Sequence, residues 1–223
     1  MKNFLLSFLM LTMFMQSYSQ NSETQSPQSD KTRIIKTDFF APLTGNLTFG
    51  YEQMLMNSMT IEGSIGIIGA GFIQDNLHPA GIFIKAGPKF FFSPDYTFDG
   101  LHRANYLQGA YFNPEIVYSG FAFDYETYNS SNGTFGTARG SNNSFALMLN
   151  FGKQWVLAKI IAIDLYAGVG YGGSAVNAPD AYGYGNSSYN ESEIVPYKYS
   201  HLQPDNQIPI AVQAGFKIGV LIK

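Results

Sequence analysis

The sequence predicts an all-β fold, an eight-stranded antiparallel up-and-down transmembrane β-barrel. Three observations lead there: a long C-terminal stretch of strict apolar alternation, an apolar but charge-poor composition, and an N-terminal export signal. From Ile208, one parity reads Ile208, Ile210, Val212, Ala214, Phe216, Ile218, Val220 and Ile222. A period of two is the signature of a strand with one apolar face. Soluble strands average about 5–6 residues, whereas a tilted membrane-crossing strand needs about 9–11. Length decides for the bilayer.

Composition agrees. The 223 residues are 45% hydrophobic and 16% aromatic, yet only 13% charged, where a soluble domain carries about 25% charged residues. The content is too apolar for a disordered chain, and the mature sequence has no run long enough for a spanning helix. A barrel in lipid averages to this mixture, because alternate strand residues face opposite environments. A formal net charge of −3 without a basic patch argues against nucleic-acid partners. The absence of cysteine excludes disulfides, thiolate metal sites, cysteine nucleophiles and a lipid-modified N-terminal cysteine.

Met1-Lys2-Asn3, the apolar Phe4–Met15 and the small residues of Ser17-Tyr18-Ser19 form a secretory signal peptide over residues 1–19, with cleavage expected before Gln20. Residues 20–33 are a flexible polar leader without packing residues in its Asn21–Thr32 stretch. Residues 34–223 form the barrel.

Working back from the last strand, seven more segments alternate: Ile34–Leu43, Asn46–Leu55, Met59–Gly69, Gly81–Phe92, Gly109–Phe123, Ser144–Leu157 and Ile160–Gly172. In Ser144–Leu157 the outward set is Phe145, Leu147, Leu149, Phe151 and Trp155; in Ile160–Gly172 it is Ile161, Ile163, Leu165, Ala167, Val169 and Tyr171. Eight is an even number, as bacterial single-chain barrels require. With the mature N-terminus in the periplasm, the inner links are Met56–Ser58, Phe92–Gln108 and Leu157–Lys159. The outer links are Thr44–Asn46, Ala70–Ala80, Asp124–Asn143 and Gly173–Gln207, two of them long and rich in Gly, Asn, Ser and Tyr. Short inner turns with long outer loops is the expected asymmetry, to which Phe92–Gln108 is an exception.

The parity opposite the apolar one carries Lys36, Asp38, Glu52, Glu62, Lys85, Lys89, Glu115, Asp164 and Lys217. Facing lipid, each would cost about 2–4 kcal/mol at the midplane. Facing the lumen they can pair, and eight strands enclose a space that side chains fill. An interior ion-pair network with no open channel is therefore expected. Gln53 and Lys153 have the wrong parity and belong near strand ends, or at a bulge.

Gly50-Tyr51-Glu52, Gly87-Pro88-Lys89-Phe90-Phe91, Tyr111-Phe112-Asn113-Pro114-Glu115 and the Gly/aromatic alternation of Gly168–Gly172 resemble the small bacterial outer-membrane β-barrel superfamily that includes the OmpA membrane domain, OmpX and OmpW. The likeness is nearest to uncharacterised outer-membrane β-barrel domain proteins and spans roughly Ile34 to Lys223. It implies an eight-stranded barrel in the bacterial outer membrane, delivered by the export and outer-membrane insertion machineries, and no settled activity.

Chemistry-bearing motifs are sparse. Gly168-Val169-Gly170-Tyr171-Gly172-Gly173 lacks the helix that a dinucleotide-binding turn must open; crowding on a strand face explains the glycines. His78, His102 and His201 stand singly in loops without metal-ligand spacing. Ser200, His201 and Asp205 have hydrolase residue types, but adjacency in a loop is not a triad. Neither catalysis nor a cofactor is expected. Tyr182, Tyr184, Tyr189, Tyr197 and Tyr199, set among Gly, Ser and Asn, have the composition of an adaptable surface-binding loop for an extracellular ligand, or of an interfacial aromatic girdle.

The leading reading is thus a structural or surface-binding outer-membrane protein with a filled lumen. A lateral conduit for small hydrophobic molecules, which the OmpW resemblance implies, is the alternative. A lipid-modifying enzyme and a soluble exported ligand-binding barrel are the remaining ones.

Overall fold

The computed structural model describes residues 31–72, 78–92, 96–97, 100–101, 105–129, 133–177 and 209–223. The expected signal peptide, the expected leader up to residue 30 and the five loop tyrosines lie outside them. Eight long strands close a ring: β1 (Arg33–Asp38), β2 (Asn46–Met56), β3 (Met59–Ile68), β4 (Ala80–Phe91), β7 (Gly109–Asn129), β8 (Thr134–Leu157), β9 (Ile161–Asn177) and β10 (Ile210–Ile222). Two short strands, β5 (Tyr96–Thr97) and β6 (Gly100–Leu101), pair with each other inside the β4–β7 link. Every long strand pairs antiparallel with its neighbours, and β1 closes the ring on β10 from Arg33↔Ile222 to Asp38↔Lys217. Closure removes sheet edges wherever both ladders are complete.

The alternation sorts side chains as expected. On β8, Phe145, Leu147, Leu149 and Phe151 are exposed, while Ser144, Ala146, Met148 and Asn150 are buried. On β10, Val212 and Val220 face out whereas Ala211, Lys217 and Leu221 face in. Exposed Ile, Leu, Phe and Tyr occur on all eight long strands.

Three parts differ from the sequence expectation. First, Ile34–Leu43 is not one strand. β1 stops at Asp38, and Ala41–Thr44 forms a 3₁₀ turn ending on Gly45 at φ 81°. Pro42 supplies no N–H for a ladder, and only glycine tolerates that φ without strain. Second, Asp124–Asn143 is mostly hairpin rather than loop. The β7–β8 ladder continues from Phe123↔Gly140 to Asn129↔Thr134, making these strands 21 and 24 residues long. Polar residues on both faces hid this extension, because a strand beyond the apolar belt need not alternate. Third, β9 runs on to Asn177, so that Gly173–Asn177 of the expected outer link is strand paired with β8. A register shift between Met54 and Met56 marks, at the lower end of β2, the bulge that the parity of Gln53 allowed. Beside it the outward Gln53 accepts hydrogen bonds from Arg33 Nε (2.8 Å) and the Tyr51 hydroxyl (2.9 Å).

The β8–β9 turn takes only three residues. Ala158 and Lys159 both take positive φ, 51° and 58°, and Ile160 N–H donates to Leu157 O at 3.0 Å. Two left-handed central residues match the twist of the flanking strands.

Candidate functional site

The interior is filled in tiers, each traceable to inward parity. The middle tier gathers six of the nine ionic residues. Lys36 on β1 reaches Glu52, Glu62 (3.0 Å) and Asp164 (3.0 Å). Lys89 on β4 reaches the same carboxylates, Glu62 at 2.7 Å, Asp164 at 2.8 Å and Glu52 at 3.5 Å. Lys217 on β10 holds the other oxygen of Glu62 at 2.5 Å. Three ammonium groups thus meet three carboxylates, all essentially removed from solvent. Neutral groups complete the shell. The Tyr111 hydroxyl donates to Asp164 (2.5 Å) and the Thr60 hydroxyl to Glu52 (2.7 Å). Gln154 Oε1 accepts from both Lys36 (2.7 Å) and Lys89 (3.0 Å). The Lys89 ammonium also lies 4.0 Å from the Tyr111 ring centroid. Satisfying every remaining lone pair and proton is what allows desolvated charges to persist.

The other three ionic residues do not join this cluster, contrary to a single nine-member network. Lys85 and Glu115 sit on a higher level and communicate through one amide. Gln213 Oε1 accepts from Lys85 at 2.9 Å, and its Nε2 donates to Glu115 (2.7 Å) and to Asn150 Oδ1 (2.7 Å). Asp38 is opposite Lys217 in register, but that ammonium turns down to Glu62. Asp38 instead accepts from Phe40 N–H (3.2 Å) and the Tyr166 hydroxyl (3.5 Å). Parity fixes which face a charge takes, while strand stagger fixes its height.

Below the ionic tier the barrel is stoppered by its own chain. The long Phe92–Gln108 link ends in Asn105–Gln108, which turn inward so that Leu107 is fully buried against Ile34, Ala162 and Leu221. Gln154, already bound to both lysines, donates Nε2 to Leu107 O at 2.7 Å, joining stopper and ions. Above, Ile68, Phe83, Phe121, Phe123 and Tyr125 form an apolar cluster on the β3–β4–β7 side.

On the opposite side, where β1 has stopped, the wall is incomplete. The β1–β2 ladder ends at Lys36↔Gly50, and side chains take over: Thr37 Oγ1 donates to Thr48 O (2.8 Å), and Thr48 Oγ1 accepts from Asp38 N–H (2.9 Å). Past Phe39 N–H to Phe216 O, the upper part of β10 is paired only with β9 among the described residues. A cavity of about 290 Å³ occupies this break. Beneath it, next to Lys36, Glu62 and Lys217, only about 20 Å³ is open.

Two of the quoted motifs meet across β4 and β7. Ladder pairs Ala86↔Ile116 and Phe90↔Phe112 share one register, which sets Pro88 opposite Pro114 in the interruption between them. Neither proline can donate, so the break costs the ladder its bonds in one place. Here a Cβ on Gly87 would come within 2.0 Å of Pro114 O, and Phe90 and Phe112 stack at 4.9 Å just below.

The remaining candidates stay apart. His78 is exposed, its Nδ1 3.8 Å from Asp124 Oδ2; His102 and His201 lie outside the described residues. The Gly168–Gly173 run lies wholly within β9, and a Cβ on Gly168 would be 2.0 Å from the Asn150 amide oxygen. Crowding, not a phosphate, accounts for that glycine. Lys153 is half-buried near the lower end of β8, 5.4 Å from the Trp155 ring. Gln154, Gln213, Asn150 and Thr60 carried no sequence signal beyond inward parity, and Tyr111 stood out only within the motif it shares with Glu115.

No protein-family model and no curated protein matches the sequence. Among solved structures, the N-terminal β-barrel domain of Pseudomonas aeruginosa OprF aligns over 87% of this chain and 100% of its own, with a TM-score of 0.33 and 10% identity.

Proposed function

We propose that the chain is a bacterial outer-membrane β-barrel protein of structural or surface-binding type, exported by its signal peptide and placed by the outer-membrane insertion machinery. One observation carries the reading: the outward parity around the ring is predominantly apolar and exposed, while the ionic tier of Lys36, Lys89, Lys217, Glu52, Glu62 and Asp164 points inward. Water would leave that belt as a patch far larger than the few hundred Å² a soluble monomer exposes. Lipid is the solvent that matches it. β7 and β8 are about twice the 9–11 residues needed to cross, so their hairpin rises beyond the bilayer as a surface feature. The ionic tier and the Leu107 stopper support a filled lumen, and the reading assigns the chain no catalytic step.

Membrane fractionation and heat-modifiable gel migration test this. The mature chain should partition with outer membranes and run faster unheated than boiled. A monomeric, detergent-free soluble chain would overturn the reading.

The break beside β1 favours, as a second reading, lateral passage of small hydrophobic molecules. Uptake and planar-bilayer measurements test it; with the lumen closed below, no steady ion conductance is expected.

A further inference from the structure

The cavity beside β1 has a chemical polarity of its own. It touches both faces of β10: the lumen-facing Gln213 and the outward-facing Val212 and Ala214. The strand's edge, unpaired here with β1, lets the cavity reach both sides. Its outer part is apolar, formed by Phe40, Ala41, Val212 and Ala214. Its inner part carries the polar Asp38, Asn46, Thr48, Lys85 and Gln213 beside the Phe83 and Tyr166 rings. Asn46 is 94% buried, since its exposure is 6%, and its side-chain oxygen has no hydrogen-bond partner among the described residues. An unpaired buried acceptor costs about 1–3 kcal/mol, and a hydroxyl donor entering the cleft would relieve that cost.

We propose that this cleft binds a neutral single-chain amphiphile with a hydroxyl-bearing head, of the monoacylglycerol class, admitted sideways from the outer leaflet. The inference rests on the membrane reading for its direction of entry. A head without net charge suits the cleft because a carboxylate and an ammonium both line it, so the attraction of either ion to one of them is offset by repulsion from the other. The head bears hydroxyls because the Asn46 oxygen can accept from a donor, which an ionised fatty acid lacks. At about 290 Å³, roughly ten waters' worth of liquid volume, the space takes a glycerol ester head and the first methylenes. The rest of the chain then lies along Val212 and Ala214 in the apolar belt. Because the lumen closes just beneath, the cleft retains a ligand instead of conducting it.

The mature chain in phosphatidylcholine nanodiscs is offered 1-lauroylglycerol, methyl laurate or laurate, and retention is read by native mass spectrometry. 1-Lauroylglycerol should be retained one per barrel, about ten-fold better than either comparator, as one or two hydrogen bonds would provide. Asn46→Leu should erase the preference, and Ala214→Trp, on the exposed outer face, should block retention of the ester head. Each variant is scored only on chains that show heat-modifiable migration. Equal retention of all three probes, or retention of 1-lauroylglycerol unchanged by Ala214→Trp, overturns the proposal. If the chain instead dissolves without detergent, the membrane reading fails, and the same probes offered to the dissolved chain still report on the cleft.

Discussion

Lys36 and Lys89, 53 positions apart in sequence, contact the same oxygen of Asp164, at 3.0 and 2.8 Å. One carboxylate thus ties β1 and β4 to β9 through the barrel centre, and its second oxygen is taken by the Tyr111 hydroxyl.

Asp164→Leu leaves two buried ammonium groups short of a partner. We expect a loss of about 3–5 kcal/mol, the usual penalty for breaking a desolvated ion cluster from one side. Urea unfolding in phospholipid vesicles, followed by gel migration, measures it. Glu115→Gln, whose carboxylate accepts from the Asn150 and Gln213 amides outside the central cluster, should cost no more than about 1–2 kcal/mol.

Leu107→Ala removes the side chain that stoppers the base. Its full burial among Ile34, Ala162 and Leu221 places the expected loss at about 2–5 kcal/mol. The same unfolding assay reads it, and accelerated exchange of the Gln154 side-chain amide would show that the ionic tier has been opened from below.

Leu147→Arg and Leu157→Arg separate the centre of the outward belt from its lower margin. Arginine at the midplane should cost about 2–4 kcal/mol in vesicles, and at the margin about 0–1 kcal/mol. Equal, negligible costs would mean that the belt does not face hydrocarbon.

Ala158 and Lys159 hold left-handed conformations at the centre of the turn that Ile160 N–H closes onto Leu157 O. Replacing them with Asn-Gly, the pair this turn favours, should stabilise the barrel by about 0.5–1 kcal/mol. A rise in the denaturant midpoint without a change in slope would register it.

Much of this architecture is legible in the sequence, for a specific reason. Alternation reports which way a side chain points, so the outward Phe145–Phe151 series and the inward Lys36, Glu62 and Asp164 follow from parity alone. It does not report height, which depends on stagger between strands. Hence Lys85 and Glu115, inward as expected, stand above the cluster and meet through Gln213. Nor does it report where the chain leaves the ring. Ile34–Leu43 reads as one alternating segment, yet Pro42 and the left-handed Gly45 turn it aside after Asp38. Asn105–Gln108 reads as part of an overlong link because nothing local says that Leu107 re-enters the barrel. The polar upper hairpin fails the apolar test although its backbone pairs without a break.

The two strands that meet at the closing seam, the first and the last of the ring, carry Lys36 and Lys217. Glu52, Glu62 and Asp164 on β2, β3 and β9 depend on them, with Lys89 alone supplied from within the span β2–β9. An unfinished polypeptide, lacking either terminus, would leave the three carboxylates of that tier facing two ammonium groups at most. Neutrality within the tier thus requires both strands of the seam, so the closed ring is also the charge-balanced one at that level.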